Sequence, residues 1–221
     1  MNLLRGLIST LQIAVGAYAL GLLIGFAGAL GKINGSVITR WLLELYTTLI
    51  RAVPELVLIL LLYYAGTGAI NSLLDMMGYR PIDISGLVAG IAVLGIVQGA
   101  YSTEVIRGAM LAVPRGQLEA AASFGMSRWK ILRRITVPAM LPFALPGLSN
   151  LWLIVTKDTA LLAVVGFSEL ALTTRQAAGA TRAYFMFFLA AAILYLLVTL
   201  LSNQIFKLLE KRARRGQPEL G

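Results

Sequence analysis

Among the charged side chains inside long apolar stretches of this sequence, the five best placed to do chemistry are Arg51, Glu55, Glu104, Lys157 and Asp158. A charged group near the centre of a lipid bilayer costs about 2.5 to 3.5 kcal/mol on insertion scales, so each of them needs a partner or a function. Acidic groups at that depth would attract a positively charged solute. Glu55 and Asp158 are the stronger candidates because both lie well inside their stretches.

Ion pairing within one helix is an alternative explanation for some of these charges. Glu104 and Arg107 are three residues apart, a spacing that places them on one face of a helix. Arg51 and Glu55, four residues apart, fit one face equally well. Pro54 lies between them and removes a backbone donor, so it predicts a kink that would leave Glu55 available to a cavity.

Lys157 and Asp158 are adjacent, so their side chains point in different directions and are expected to meet groups on other helices. The candidate residues of a transport pathway are therefore Glu55, Glu104, Asp158 and Lys157. An enzyme is not expected, because the sequence contains no Cys and no His and its acids are scattered. Without those two residue types, disulfides and the usual zinc sites are excluded as well.

The apolar stretches themselves predict the architecture. Hydrophobic residues make up 58% of the 221 residues and charged residues only 13%, against roughly 25% charged in soluble domains. Five tracts reach the roughly 20 residues that a helix needs to cross a bilayer, at 7–31, 42–66, 86–110, 138–166 and 183–206. They lack the strict alternation of barrel strands, and the first is too long for the core of a secretory signal. The sequence thus predicts an all-α polytopic membrane protein, a single domain of residues 1–221 with five transmembrane helices.

The distribution of Lys and Arg predicts the orientation in the membrane. Thirteen of these residues fall in or beside the segments that follow helices one, three and five, and four fall in the other segments. Because positively charged segments stay in the cytoplasm, we expect a periplasmic N-terminus and a cytoplasmic C-terminus. Part of the net charge of +9 is expected to contact anionic membrane lipid, and nucleic acid is not an expected partner.

One cytoplasmic segment has a pattern that topology alone does not require. The stretch EAAASFGMSRWKILRRITVP, residues 119–138, begins with an acid and three alanines, passes Gly125, and then carries a basic cluster. Alanine and glutamate favour a helix and glycine favours the turn that ends it, so the sequence predicts a short helix over Gln117 to Phe124. A second, amphipathic run follows from Ser127 to Ile135. Docking onto another protein and lying on lipid both remain open from the residues alone.

The same segment carries a family resemblance. The spacing E-A-A, three residues, G, nine residues, I-x-L-P is typical of permease subunits of bacterial ABC importers, which this sequence resembles at Glu119, Ala120, Ala121, Gly125, Ile135 and Pro138. Val137 stands where the family usually has Leu, a conservative apolar change. Three further stretches resemble the polar amino acid branch of that family: TTLIRAVPELVLILLLYY at 47–64, GAYSTEVIRGAMLAVPRGQLEAA at 99–121 and LPGLSNLWLIVTKDTALLAVVG at 145–166.

The resemblance implies a type I importer permease whose loop 111–137 carries a coupling helix seated in a groove of a cytoplasmic ATPase. The implied ATPase-docking residues are Glu119, Ala120, Ala121 and Gly125. The implied partners are ABC ATPase subunits, a second permease that is a paralogue or an identical copy, and a periplasmic substrate-binding protein. The chain itself would bind no cofactor, and the partner ATPase would use ATP and Mg²⁺. The sequence agrees in having no G-x-x-x-x-G-K-[ST] loop for phosphates.

The resemblance also implies the activity. The chain would be the permease of an ATP-driven importer in the inner membrane, working by alternating access and not itself an enzyme. Its substrates would be polar, cationic amino acids such as arginine, lysine, histidine and ornithine, or opines, which agrees with acids at depth. The alternative is a stand-alone ion-coupled carrier whose acids relay protons or ions, although such carriers usually contain more helices in inverted repeats.

Smaller features predict contacts between helices and with partners. Three G-x-x-x-G patterns allow helices to approach closely, within the chain or at a subunit interface: Gly21/Gly25, Gly86/Gly90 and Gly95/Gly99. Pro142 and Pro146 predict a bend near the start of helix four. The outer segments 66–85 and 169–182 are candidate contact sites for a binding protein, the first as a short surface helix.

Overall fold

Nine α-helices, one π-helical segment and one 3-10 helix make up the part of the chain that the structure describes, residues 2–81 and 84–214. The structure is a computed structural model. The helices are α1 (Asn2–Asn34), α2 (Val37–Ala52), α3 (Glu55–Met76), α4 (Gly86–Leu111), α5 (Arg115–Ser123), α6 (Arg128–Ile131), α7 (Val137–Asp158), α8 (Leu170–Thr181) and α9 (Tyr184–Ala213). The π-helical segment Leu132–Thr136 joins α6 to α7, and the 3-10 helix Thr159–Val165 follows α7.

Five helical stretches within the described ranges are long and apolar enough to cross a membrane. They are Leu3–Asn34, Glu55–Met76, Gly86–Leu111, Arg128–Val165 and Tyr184–Ala213. The predicted all-α fold with five spans is therefore confirmed. The fourth stretch is longer than the predicted 138–166, because α6 continues through the π-helical segment into α7 without a break.

The second span differs from its prediction over 42–66. The chain leaves helical geometry at Val53 (φ −100°, ψ 138°) and Pro54 (φ −54°, ψ 135°), so α2 ends before the break and α3 begins after it. Proline has no N–H to donate and disfavours helical geometry in the residue before it, which explains a complete break where the sequence predicted a kink. The helix α3 then continues to Met76. Most of the expected outer segment 66–85 is consequently part of this span and not a separate surface helix.

The helix α4 forms the centre of the bundle. In its most apolar stretch 61% of the residues are buried, compared with 11% in α3 and in α9. The three clusters of buried apolar side chains within the described residues all include α4, around Val93, Val97 and Ile106 respectively. The helices α3 and α9 lie at the periphery and keep apolar faces for lipid or for partner chains.

The helix α1 packs along α4 through small residues on both. A Cβ atom added at Gly25 would lie 2.9 Å from the carbonyl carbon of Ser102 and 3.0 Å from the amide nitrogen of Thr103, both backbone atoms of α4. In the opposite direction, a Cβ at Gly95 would lie 2.6 Å from the side chain of Leu20. The glycine patterns 21/25 and 95/99 therefore form a contact within one chain and not a subunit interface. Glycines at both ends of that contact are needed because a methyl group has no room there.

Replacing Gly25 with Ala is expected to destabilise the folded chain. The added methyl meets α4 backbone atoms, which cannot rotate away, so α1 and α4 must separate along their contact. We expect a loss of about 1–3 kcal/mol, measured as a lower midpoint of thermal unfolding in detergent.

The matched control is Gly68→Ala in α3, where an added Cβ meets nothing within 4 Å. That variant is expected to be neutral or slightly stabilising, since alanine favours helix over glycine by about 1 kcal/mol. Equal unfolding midpoints for the two variants would show that α1 and α4 do not depend on this close approach.

Candidate functional site

Two of the predicted pathway acids come together where α3 and α7 meet the middle of α4. Glu55 is the first residue of α3, and its Oε1 accepts a hydrogen bond of 3.0 Å from the hydroxyl of Tyr101 on α4. Asp158 is the last residue of α7 and lies within electrostatic reach of both Glu55 and Tyr101. Among the described residues, the Asp158 carboxylate accepts no hydrogen bond and forms no salt bridge. The two acids therefore form one negatively charged site, which we call the acidic pair.

The two predicted basic neighbours of this site remain outside ion pairs. Arg51 lies in the last turn of α2, on the other side of the break at Pro54, so it does not share a helix face with Glu55. The proposed pairing of Arg51 with Glu55 on one helix is therefore wrong. Lys157 is exposed at the end of α7 and acts on Asp158 through its charge alone. Within the described part of the chain, neither base neutralises the acidic pair by direct contact.

Glu104 does not belong to this site, because it is held in a separate ionic cluster. Its Oε1 lies 2.6 Å from Nζ of Lys32, and its Oε2 lies 2.9 Å from the guanidinium of Arg107. Lys32 also donates to Glu44 and to Thr47, at 2.7 Å each. The cluster fastens the end of α1 to α2 and α4. The alternative of ion pairing between Glu104 and Arg107 is thus present in the structure, with Lys32 as its buried centre.

Sequence reasoning missed Lys32 as a partner of Glu104, and it missed Glu44 as a second carboxylate on the same lysine. The side chain of Lys32 is only 4% exposed, although it lies at the end of an apolar tract where a lysine would ordinarily reach into solvent. Lys32 and Glu104 are 72 positions apart in the chain, so the local spacing of residues does not predict their contact. The available signal was a single basic residue in the last turn of a long apolar helix.

The predicted helix and turn at 117–125 are present. The helix α5 ends in a left-handed turn at Gly125, where φ is +73°. The amide of Gly125 donates to the carbonyl of Ala122 at 2.9 Å, and the amide of Met126 donates to that of Ala121 at 3.2 Å. This hydrogen-bond pattern is the Schellman motif, and it requires positive φ at the position that glycine occupies. The segment after it starts at Ser127, whose hydroxyl accepts from the amide of Lys130 as an N-cap.

The tip of this loop presents a mixed polar and aromatic surface. Glu119, Ala120 and Gly125 are exposed, as expected for docking residues. Ala121 is only 6% exposed, so it faces the chain itself and supports the turn from inside. Phe124, which sequence reasoning treated only as a helix end, is 88% exposed beside Gly125. An aromatic ring so exposed on a tight turn is typical of a residue that a partner covers. We call Glu119, Ala120, Phe124 and Gly125 the loop tip.

The sequence matches the family of binding-protein-dependent transport system inner membrane components over residues 17–215. The chain belongs to this family. The histidine/lysine/arginine/ornithine transport system permease protein HisQ of Escherichia coli (strain K12) is 41% identical over 214 residues, which cover 97% of this inner membrane component and 94% of that protein. The nopaline transport system permease protein NocQ of Agrobacterium fabrum (strain C58) is 40% identical, with 97% and 92% covered.

A solved structure, the crystal structure of an amino acid ABC transporter with histidines, has a chain similar to this inner membrane component. The TM-score is 0.79 at 31% identity, with 95% of this chain and 93% of that chain covered. The likeness extends over the whole bundle, so the expected importer permease fold is confirmed.

Sequence reasoning also missed the buried carboxylate of Glu169. This residue lies at the opposite end of this inner membrane component from the loop tip. Glu169, fully buried, caps α8 by accepting from the amides of Ala171 at 2.8 Å and Leu172 at 2.7 Å. It also accepts from Thr10 on α1 and Tyr195 on α9, at 3.4 and 3.3 Å. Burial raises the pKa of the Glu169 carboxyl, and the donated hydrogen bonds oppose that increase. The expected outer segment 169–182 is therefore mostly a packed helix tied to two spans.

Replacing Glu169 with Ala is expected to destabilise this inner membrane component by about 2–4 kcal/mol, because two amides and two hydroxyls lose their acceptor in a buried position. Denaturant or thermal unfolding in detergent measures the loss.

The control is Glu210→Ala, which removes a partly exposed carboxylate whose only ionic partner in the described chain is Arg214, one turn away at 3.0 Å. The expected cost there is about 0.3–0.5 kcal/mol. A loss at Glu169 no larger than that would contradict its role in joining α1, α8 and α9.

Proposed function

We propose that the chain is a permease subunit of an ATP-driven importer that moves cationic amino acids, or opines, across the inner membrane by alternating access. The printed names of its relatives, for histidine, lysine, arginine, ornithine and nopaline transport, support this substrate range. The proposed partners are ATPase subunits, a second permease and a periplasmic binding protein. The thirteen-to-four distribution of Lys and Arg supports a periplasmic N-terminus and a cytoplasmic C-terminus.

The observation that carries this proposal is the unpaired carboxylate of Asp158 beside Glu55. Glu55 begins a helix, where the helix dipole favours a negative charge, whereas Asp158 lies inside a helical stretch that continues to Val165 and has no such support. A guanidinium or ammonium group between them would relieve the repulsion and donate charge-assisted hydrogen bonds. Lys157, exposed beside Asp158, is the proposed partner of the substrate carboxylate. Glu104 already contacts two cations, which favours a structural role for it.

The loop tip supports the proposal that a separate motor acts on this chain. Small residues let another polypeptide approach closely, the exposed ring of Phe124 offers an apolar anchor, and Glu119 offers a charge. The proposed ATPase-docking surface therefore consists of Glu119, Ala120, Phe124 and Gly125, with Ala121 holding the turn from inside. One helical stretch runs from Arg128 beside this loop to Val165 beyond Asp158. Movement of the loop would consequently reach the acidic pair through a continuous element.

Neutralising either acid of the pair is expected to weaken uptake of cationic substrates. We expect Asp158→Asn and Glu55→Gln to raise the KM for arginine or lysine by about tenfold or more, because each removes a charge-assisted contact of about 1.5–3 kcal/mol. The measurement is uptake of radiolabelled amino acid into proteoliposomes that contain the whole importer.

Glu210→Gln, which neutralises a carboxylate on α9 beside Arg214, is the control and is expected to leave KM unchanged. Unchanged kinetics in both acidic-pair variants would remove them from the substrate path. Uptake driven by an ion gradient without the ATPase would instead favour the stand-alone carrier.

Changes at the loop tip are expected to separate ATP hydrolysis from transport. Gly125→Val places a β-branched residue at φ +73°, which costs about 1–2 kcal/mol and distorts the turn. Phe124→Ala keeps the turn and removes the anchor. In both variants we expect transport per ATP hydrolysed to fall several-fold while the chain still inserts, measured as paired ATPase and uptake rates.

Gly125→Asn is the matched control, because asparagine tolerates a left-handed conformation and is expected to retain most coupling. Normal coupling in Gly125→Val and Phe124→Ala would contradict docking at this loop.

A further inference from the structure

A concave groove lies between the bundle and the underside of the loop that carries α5 and α6. Its volume is about 640 Å³, within the range of pockets that bind small molecules. Its apolar walls come from α1, α4, α5 and α6, and include Leu30, Ile33, Met110, Leu111, Leu118 and Trp129. No residue of the loop tip or of the acidic pair lines this groove.

The position of the groove along the spans fixes the level at which it opens. Ile33 lies one residue before the end of the first span, Leu111 is the last residue of the third, and Arg128 is the first residue of the fourth. These three lining residues all lie where a span begins or ends. The groove therefore opens at the depth where the hydrocarbon of a bilayer meets the lipid head groups.

The charge at the rim of the groove is positive. Arg128 lines it, in a segment from Arg115 to Arg134 that contains five basic residues and one acid. Trp129 beside it is 65% exposed, and tryptophan prefers this interfacial depth because its ring is both apolar and a hydrogen-bond donor. An arginine guanidinium matches the geometry of a phosphate group with two parallel hydrogen bonds. An apolar channel under a guanidinium is complementary to an acyl chain under a phosphate.

We propose that this groove is a binding site for an anionic phospholipid, with an acyl chain along the apolar walls and the phosphate at Arg128. Basic pockets between transmembrane helices are suited to anionic head groups, because the local positive potential adds to the burial of the chain. A bound lipid would fill the space beneath α5 and α6 and support the loop from the membrane side. The site is independent of the substrate that the importer carries.

The test uses Trp129 as a reporter in the full-length chain, assembled with its partners in nanodiscs. Brominated acyl chains quench tryptophan fluorescence on contact, so brominated phosphatidylglycerol and brominated phosphatidylcholine are compared at equal mole fraction. We expect phosphatidylglycerol to quench more strongly. Trp129→Phe is expected to abolish that difference, which assigns it to the groove and not to the other tryptophans.

Substitutions at the rim distinguish the groove from the general charge of the loop. Arg128→Gln is expected to reduce the preference for phosphatidylglycerol about fivefold, corresponding to the contribution of one arginine at an anionic surface. Arg133→Gln removes the same charge from the same segment but does not line the groove, so it is expected to change the preference little. Arg128→Lys keeps the charge and is expected to retain part of the preference, which also guards against a folding defect in the glutamine variant.

Three results would overturn the proposal. Equal quenching by the two lipids would show that no anionic head group is selected. An equal effect of Arg128→Gln and Arg133→Gln would show lipid accumulation around the whole basic loop. Absence of quenching at Trp129 by either lipid would show that a partner polypeptide, and not lipid, covers the groove.

Discussion

The contact between α1 and α4 is the constraint on which the other features of the bundle depend. Helices in lipid gain little from hydrophobic exclusion, so close packing of backbones must supply much of their association. At Gly25, α1 packs directly against the backbone of Ser102 on α4. At Gly95 of α4, the side chain of Leu20 on α1 occupies the space that a Cβ atom would need. With this pair fixed, α4 offers its remaining sides to α2, α3 and α7. The ionic cluster, the acidic pair and the groove are all positioned against the same helix.

Charge is distributed over the bundle in two different ways. At one end of α4, Lys32 is surrounded by acceptors and its cluster is neutral within itself, so it fastens helices. Near the middle of α4, the Glu55 carboxylate accepts one hydrogen bond, from the hydroxyl of Tyr101. The Asp158 carboxylate accepts none from the described residues. The fold thus satisfies one set of charges within the bundle and leaves another, partly exposed set without ionic partners among the described residues. The unsatisfied set has an energetic reason to attract a positively charged group from outside the chain.

Local patterns in the sequence predict the parts of this molecule that local physics decides. Tract length predicts the five spans, and Gly125 predicts the turn after α5, because a left-handed residue selects glycine wherever it occurs. The same reasoning predicts a kink at Pro54 but not a full break, since the outcome depends on how α2 and α3 pack separately on α4. The buried contacts of Glu169 and Lys32 were not predicted, because their partners lie up to 159 positions away in the chain. The spacing of residues in the sequence predicts only contacts between near neighbours.

Between α6 and α7 the helix widens at Leu132–Thr136, where a turn holds one residue more than usual. Each residue advances an α-helix by about 100° around its axis, so the side chains on the two sides of this segment belong to different stripes. The number of residues in this single turn therefore sets the rotation of the basic surface about the helix axis, relative to the buried face of α7. Loss or gain of one residue there would swing that surface through more than a right angle while leaving both flanking helices intact.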